Sequence, residues 1–200
     1  MDKLVSVITS THNRNDLLFK RCIPSVKAQT YPLIEHIIVS DGLNQELLDY
    51  FGGYGIEKDH ARYYATPYHY DDWGASPKNV GILMAAGECI AYLDDDNEFL
   101  PEHVEKLVSL IRQTKADLVY SKFEWLPGGS VRGTPDLRLG QIDTSAILHK
   151  RELIRKGLWL NKGHGNDFWT VSNWVEHGAR YSFLDEVTMR YYFRGVSHKE

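Results

Sequence analysis

Through the first 120 residues, short β-branched runs alternate with stretches whose apolar residues recur at helical spacing, and this alternation leaves few folds open. A strand, a covering helix and a second strand return the chain to the same sheet, so repeated units build a mostly parallel sheet with helices on both faces. LVSVITS, HIIVS, RYYAT and CIAYL read as four such strands. Between them, NDLLFKRCIPSVKAQ sets Leu17, Leu18, Cys22 and Val26 on one helical face, with Pro24 expected to kink or interrupt it. QELLDYF reads as a short helix, and Ser76-Pro77 has the form of a cap and first helical proline leading into KNVGILMAA, with Gly87 as the stop. PEHVEKLVSLIRQ is amphipathic, and DLVYSKFEWL returns as a strand. Beyond it, LPGGSVRG reads as a hairpin tip, TSAILH as a strand, RELIRKG as a short helix and HGNDFWTVSNWVEHG as a longer one, with RYSFL and VTMRYYF as two closing strands. The reading is one α/β domain over residues 1–200, divided at about residue 122 into two parts.

Composition narrows the partners. At 42% hydrophobic residues the chain can bury a sizeable core, and a formal charge of −4 offers no broad electrostatic footprint for nucleic acid or an anionic membrane. MDKLVSVITSTHNR lacks a cleavable signal pattern and no apolar run approaches the ~18–20 residues that span a bilayer, so no transmembrane segment and a cytoplasmic location are expected. Cys22 and Cys89 alone suggest neither a disulfide framework nor a thiolate zinc site.

CIAYLDDDNEFL carries the chemistry. Three carboxylates, Asp94, Asp95 and Asp96, end an apolar run, and like charges so close raise one another's pKa unless a cation lies among them. An acidic cap on the following helix would be the plain alternative. Open α/β sheets bind ligands at the carboxyl ends of their strands, which here also carry Thr9, Ser10, His12 and Asn13, then Asp41, then Asp71 and Asp72. Asp41 can accept from a base or ribose, Lys78 near a helix start can meet a diphosphate, and the aspartates can hold a divalent metal on it. A nucleotide suits this set.

VSVITSTHNR, IIVSDG, SPKNVGILMAAGE, LDDDN and HGNDFW occur in this order over roughly residues 4 to 178, and in this the chain resembles glycosyltransferase family 2, with the GT-A fold. The resemblance implies a GT-A sheet with a nucleotide-sugar-binding part over about residues 1–122 and an acceptor-side part over about 123–200. It places Thr9, Ser10, Asn13 and Asp41 on the nucleotide, Asp41 standing where the family commonly has Asp-Asp-Gly-Ser. Lys78 replaces the usual arginine, a point charge instead of a bidentate fork. Asp94 would approach ribose with Asp95 beside it, and Asp96 would ligate Mn²⁺ or Mg²⁺ bridging the diphosphate, joined by His198. Asp167 matches the aspartate of a Glu-Asp pair that deprotonates the acceptor, although Asn166 replaces the glutamate.

The implied activity is metal-dependent transfer of a sugar from a nucleoside-diphosphate sugar, UDP-sugar favoured, to a carbohydrate or other hydroxyl-bearing acceptor with inversion. Among the five tryptophans, Trp169 is the acceptor-site candidate, and a second subunit is one way to complete an open acceptor groove. A sugar nucleotidyltransferase would need a glycine-rich loop after the first strand, which STHNR lacks, and a dehalogenase-like phosphatase would need its nucleophile there. A non-catalytic nucleotide-sugar binder of the same fold is the remaining alternative, suggested by Asn166.

Overall fold

The computed structural model describes residues 3–193. In chain order its elements are β1 (Val5–Thr11), α1 (Asn15–Leu17), a π turn (Leu18–Cys22), α2 (Ile23–Lys27), β2 (Ile34–Ser40), α3 (Gln45–Phe51), β3 (Glu57–Lys58), β4 (Ala61–Ala65), α4 (Ala75–Met84), β5 (Cys89–Tyr92), β6 (Glu98–Phe99), α5 (His103–Thr114), β7 (Leu118–Leu126), β8 (Ser130–Arg132), β9 (Ile147–Lys150), α6 (Asn166–Glu176) and β10 (Tyr181–Tyr192). They form one sheet in the order β3-β4-β2-β1-β5-β9-β7-β10-β6, with β8 paired to β7. β4, β2, β1 and β5 run parallel. β9 enters between β5 and β7 antiparallel to both, and β10 returns parallel to β7.

Strand alternation divides the interior into two layers. Val5, Val7, Ala91 and Leu93 point to the face covered by the π turn, α2, α3 and α5. Ile8, Ile37, Val39, Ile90 and Tyr92 point to the face covered by α4 and α6, where Trp159 and Trp174 also pack. Each large side chain so buried contributes roughly 1.5–3 kcal/mol relative to exposure.

Several local expectations are corrected. The interruption expected in the first helical run takes the form of the π turn, which leads directly into α2 and leaves Pro24 in that helix's first turn, where a missing N–H is tolerated. Ser76 is not the cap of α4: the helix starts at Ala75, and the Asp72 carboxylate accepts from both the Ser76 amide (2.9 Å) and hydroxyl (2.6 Å). Residues 144–146 of TSAILH form a 3₁₀ turn ahead of β9. The two closing strands are one twelve-residue strand, with irregular register at Leu184/Val187 and Val187/Met189 absorbing the polar Asp185 and Glu186. Among the described residues no helix is long and apolar enough to cross a membrane.

Candidate active site

Alternation also sorts the site. Ser10 lies on the α4/α6 face, and Lys78, in the first turn of α4, reaches it: Nζ stands 3.2 Å from Ser10 Oγ, 3.5 Å from the Trp73 carbonyl and 3.5 Å from Asp94 Oδ1. Lys78 is only 4% exposed, so this charge is held in the floor of the cleft. The approach depends on Gly74, which has φ +75° and where a β-carbon would stand 2.6 Å from Ser10 Oγ and 3.0 Å from Lys78 Nζ. The next residue after Lys78, Asn79, clamps a distant loop: its side chain accepts from the Trp159 amide (2.8 Å) and donates to the Trp159 carbonyl (3.0 Å).

The aspartate triplet divides. Asp94 faces Lys78, and its amide donates to Ser145 Oγ at 3.1 Å. Asp95 is 2% exposed and meets Arg14 at 3.1 Å. Burial pushes its carboxyl up to about 7, Arg14 opposing and the neighbouring Asp96 and Asp94 adding to the rise. Asp96 is held by Arg14 at 2.5 Å, while Arg21 donates to its carbonyl. Asn97 is fully buried, donating to Ser145 Oγ (3.1 Å) and accepting from the Tyr192 amide (3.0 Å).

Two further carboxylates close the cleft. Asp143 caps the 3₁₀ turn by accepting from the Ser145 amide at 2.8 Å, and burial drives its carboxyl far up, the Asp94 and Asp167 charges adding to the effect. Asp167 lies in the first turn of α6, with Oδ1 accepting from the Phe168 amide at 2.7 Å. Burial raises its carboxyl to about 6; the Phe168 amide lowers it, Asp94 raises it, and Lys78 and the Thr144 amide lower it. Tyr191 on β10 feels the Asp143, Asp94, Asp96 and Asp167 charges, which add to the effect of burial in raising its phenol. Lys78, Asp94, Asp143 and Asp167 therefore share one electrostatic neighbourhood.

A second group surrounds Asp41. Its carboxylate accepts from the Tyr70 amide (2.9 Å), the Asp71 amide (3.0 Å) and the Thr66 hydroxyl (3.3 Å), with His69 Nε2 at 3.5 Å. His69 stacks on His12, ring centroids 4.0 Å apart and planes within 4°. His12 donates through Nδ1 to the Asp41 carbonyl (3.1 Å), and Asn13, exposed and at φ +52°, donates to His12 Nε2 (3.0 Å). Thr9 is not brought to either group. It shares the Val5 and Val7 face, is fully buried, and places its hydroxyl 2.8 Å from His36 Nε2 and 3.4 Å from Cys22 Sγ.

Residues 6–173 match the sequence model of Glycosyl transferase family 2. The chain belongs to this family. Among curated relatives, it is 25% identical over 178 residues to the uncharacterized glycosyltransferase YibD of Escherichia coli, covering 86% of this chain and 47% of that protein. It is 28% identical over 125 residues to glycosyltransferase GlyG of Streptococcus pneumoniae, covering 62% and 40%. The chain thus spans less than half the length of these two relatives. S. aureus TarS 1–349 superposes with a TM-score of 0.73 at 16% identity over 94% of this chain and 60% of that one. The mannosyltransferase PcManGT of Pyrobaculum calidifontis, solved with GDP-Man and Mn²⁺, superposes with a TM-score of 0.71 at 16% identity, covering 100% and 59%. The fold is that of the GT-A glycosyltransferases.

Within this family 2 frame, the expected residues separate into three sets. Ser10, Lys78, Asp94 and Asp167 gather at the cleft floor, Asp41 and Asn13 meet at the histidine stack, and Asp95 and Asp96 turn to Arg14. Asp96 does not stand free to ligate a cation, because Arg14 occupies its carboxylate, and among the described residues no three His, Cys, Asp or Glu side chains converge as a metal site. The described residues do not by themselves fit a bound divalent ion. His198 lies outside the described residues. Sequence reasoning missed Asp143, Arg14 and Asn79. Asp143 had a visible signal, an Asp-Thr-Ser cap before an apolar run, and Arg14 stood in the same STHNR segment as two candidates.

Proposed function

We propose that this chain transfers a sugar from a nucleoside-diphosphate sugar, with UDP-sugar favoured, to an acceptor hydroxyl with inversion at the anomeric carbon. The supporting observation is Asp167: a carboxyl that burial raises to about 6, in the first turn of α6 and within the field of buried Lys78. In this reading Asp167 accepts the acceptor's proton as that oxygen bonds to the anomeric carbon, and the bond from that carbon to the diphosphate oxygen breaks with its electron pair leaving on the nucleotide. Lys78 meets the charge that grows on the departing diphosphate, and its burial strengthens the interaction. Single displacement inverts the centre.

Asn166, in place of the family's glutamate, serves the scaffold. It accepts from the Lys162 amide at 2.6 Å and donates to the Asp72 carbonyl at 3.4 Å, joining the two loops around the base. The residues up to about 122 supply the donor side and those beyond it the acceptor side, with Ser145 bridging both to Asp94. The His12–His69 stack, held beside Asp41, is the base-recognition candidate, since stacked rings offer an aromatic face to a nucleobase.

Thermal melting against uridine, guanosine, thymidine and cytidine diphosphates, each with and without Mn²⁺, tests the reading, because a ligand that binds only the folded chain raises its stability. One nucleotide is expected to raise the melting temperature in wild type and not in Lys78→Met, and its sugar conjugate to be turned over. No shift with any of the four would overturn the proposal. Comparing the arms with and without Mn²⁺ decides metal dependence.

A further inference from the structure

Three large apolar side chains stand out in solvent around the cleft. Trp73 is 65% exposed, Leu139 52% and Trp169 42%. They lie on one continuous rim. The Trp73 ring meets His164 edge-on with centroids 6.3 Å apart, and a β-carbon added to Gly165 would stand 2.5 Å from Leu139 Cδ1 and 3.8 Å from Trp169 Nε1. The two loops that carry the indoles are joined beneath the rim by the Asn166 amide on the Asp72 carbonyl. Asp167 sits between His164 and Trp169 along the chain, in the first turn of the helix that carries Trp169.

The backbone of Trp73 adds an independent sign. Its φ is +58°, a left-handed conformation that bulky side chains avoid at a cost of order 1–3 kcal/mol and that is enriched at ligand sites as well as in tight turns. The strained residue turns its carbonyl toward Lys78 Nζ at 3.5 Å while leaving its indole outside. Burial of the ring does not explain the conformation.

We propose that Trp73 and Trp169 bind the acceptor by covering the C–H face of a pyranose ring, so that the hydroxyl activated at Asp167 belongs to a carbohydrate. The inference rests on the glycosyl-transfer reading and specifies its acceptor. A pyranose presents an apolar strip of C–H groups on one face and hydroxyls at its edge, which matches a flat indole beside a carboxylate. The loop that carries Trp73, TPYHYDDWG, contains Asp71 and Asp72 and no lysine or arginine, so it adds no attraction to an anionic bilayer.

Saturation-transfer NMR tests this with the methyl α- and β-glycosides of glucose, galactose, mannose and N-acetylglucosamine, recorded with the nucleoside diphosphate that stabilises the chain. At least one glycoside is expected to receive saturation at its ring protons. Its affinity is expected to fall about tenfold in Trp73→Ala and in Trp169→Ala, with nucleotide signals and melting temperature unchanged, and to be largely kept in Trp73→Phe. Nucleotide binding with no glycoside signal in wild type would overturn the proposal, as would a glycoside affinity left at the wild-type value in Trp73→Ala and Trp169→Ala. Cosedimentation with phosphatidylcholine–phosphatidylglycerol vesicles that is lost in Trp73→Ala would overturn it by assigning the rings to a membrane. Loss of nucleotide binding itself would strike the glycosyl-transfer reading and this one with it.

Discussion

Titration from about pH 4 to about pH 8 is expected to ionise Asp167 near 6 instead of near the ordinary 3.8, and the shift can be followed as a stability change. The folded chain binds this proton more tightly than the unfolded chain does. Below about pH 4 both states are protonated and nothing is lost; as the pH climbs from 3.8 through about 6, ionisation costs more in the folded state and stability falls to a plateau. The gap corresponds to about 3 kcal/mol, an upper value because the side chain is only half-buried and solvent screens part of the effect. Carboxyl ¹³C NMR of aspartate-labelled protein reports the titration, with the Asp167 resonance identified by its loss in Asp167→Asn. Urea unfolding of both proteins across the same range reports the energy. Wild type is expected to lose up to about 3 kcal/mol more than the variant, leaving Asp167→Asn the more stable protein above neutrality while its transfer rate falls by about 10²–10⁴-fold. A resonance midpoint near 4, or parallel stability curves, would refute the reasoning.

Arg14→Ala removes the cation beside buried Asp95 and is expected to destabilise the chain by about 2–3 kcal/mol at alkaline pH, less in acid, where Asp95 takes up its proton; urea unfolding on either side of pH 7 measures the difference. Asn79→Ala strips two hydrogen bonds from the Trp159 backbone. It is expected to cost about 1–3 kcal/mol and to speed hydrogen exchange at the Trp159 amide, with protection near the Asp95–Arg14 pair left unchanged.

The sheet was legible, and with it the carboxyl edge on which the candidate residues lie, because β1, β2 and β5 are short apolar runs that stop at polar residues. What the sequence did not disclose was parity. Thr9 and Ser10 are adjacent and chemically alike, yet one faces the π turn and the other α4, since successive strand residues point to opposite faces. Just past the end of β5, Asp94 meets Lys78 while Asp95 and Asp96 both meet Arg14, so a run that reads as one acidic cluster divides between two cations. Asp143 was hidden for a topological reason. It precedes a strand, and only an antiparallel strand brings its beginning to the edge where parallel strands end. Asp185 and Glu186 concealed the continuity of β10, because adjacent charges read as a turn while the structure carries them on an irregular stretch of strand.

The reversed strand β9 has a consequence for how such a site can change over time. Asp143 and Ser145 are fixed by the cap and by the Asp94 amide, while the approach to them from β8 is a surface excursion whose base is pinned by the Gly133 amide on Gln141 Oε1 at 3.1 Å. Lengthening an exposed loop costs little, about 0.6 kcal/mol per doubling. Leu139 of the cleft rim lies on this excursion. Insertions there would remodel what the rim admits while the aspartates and the lysine keep their places, which makes this stretch a natural point of divergence between enzymes that share one reaction and differ in the molecule they decorate.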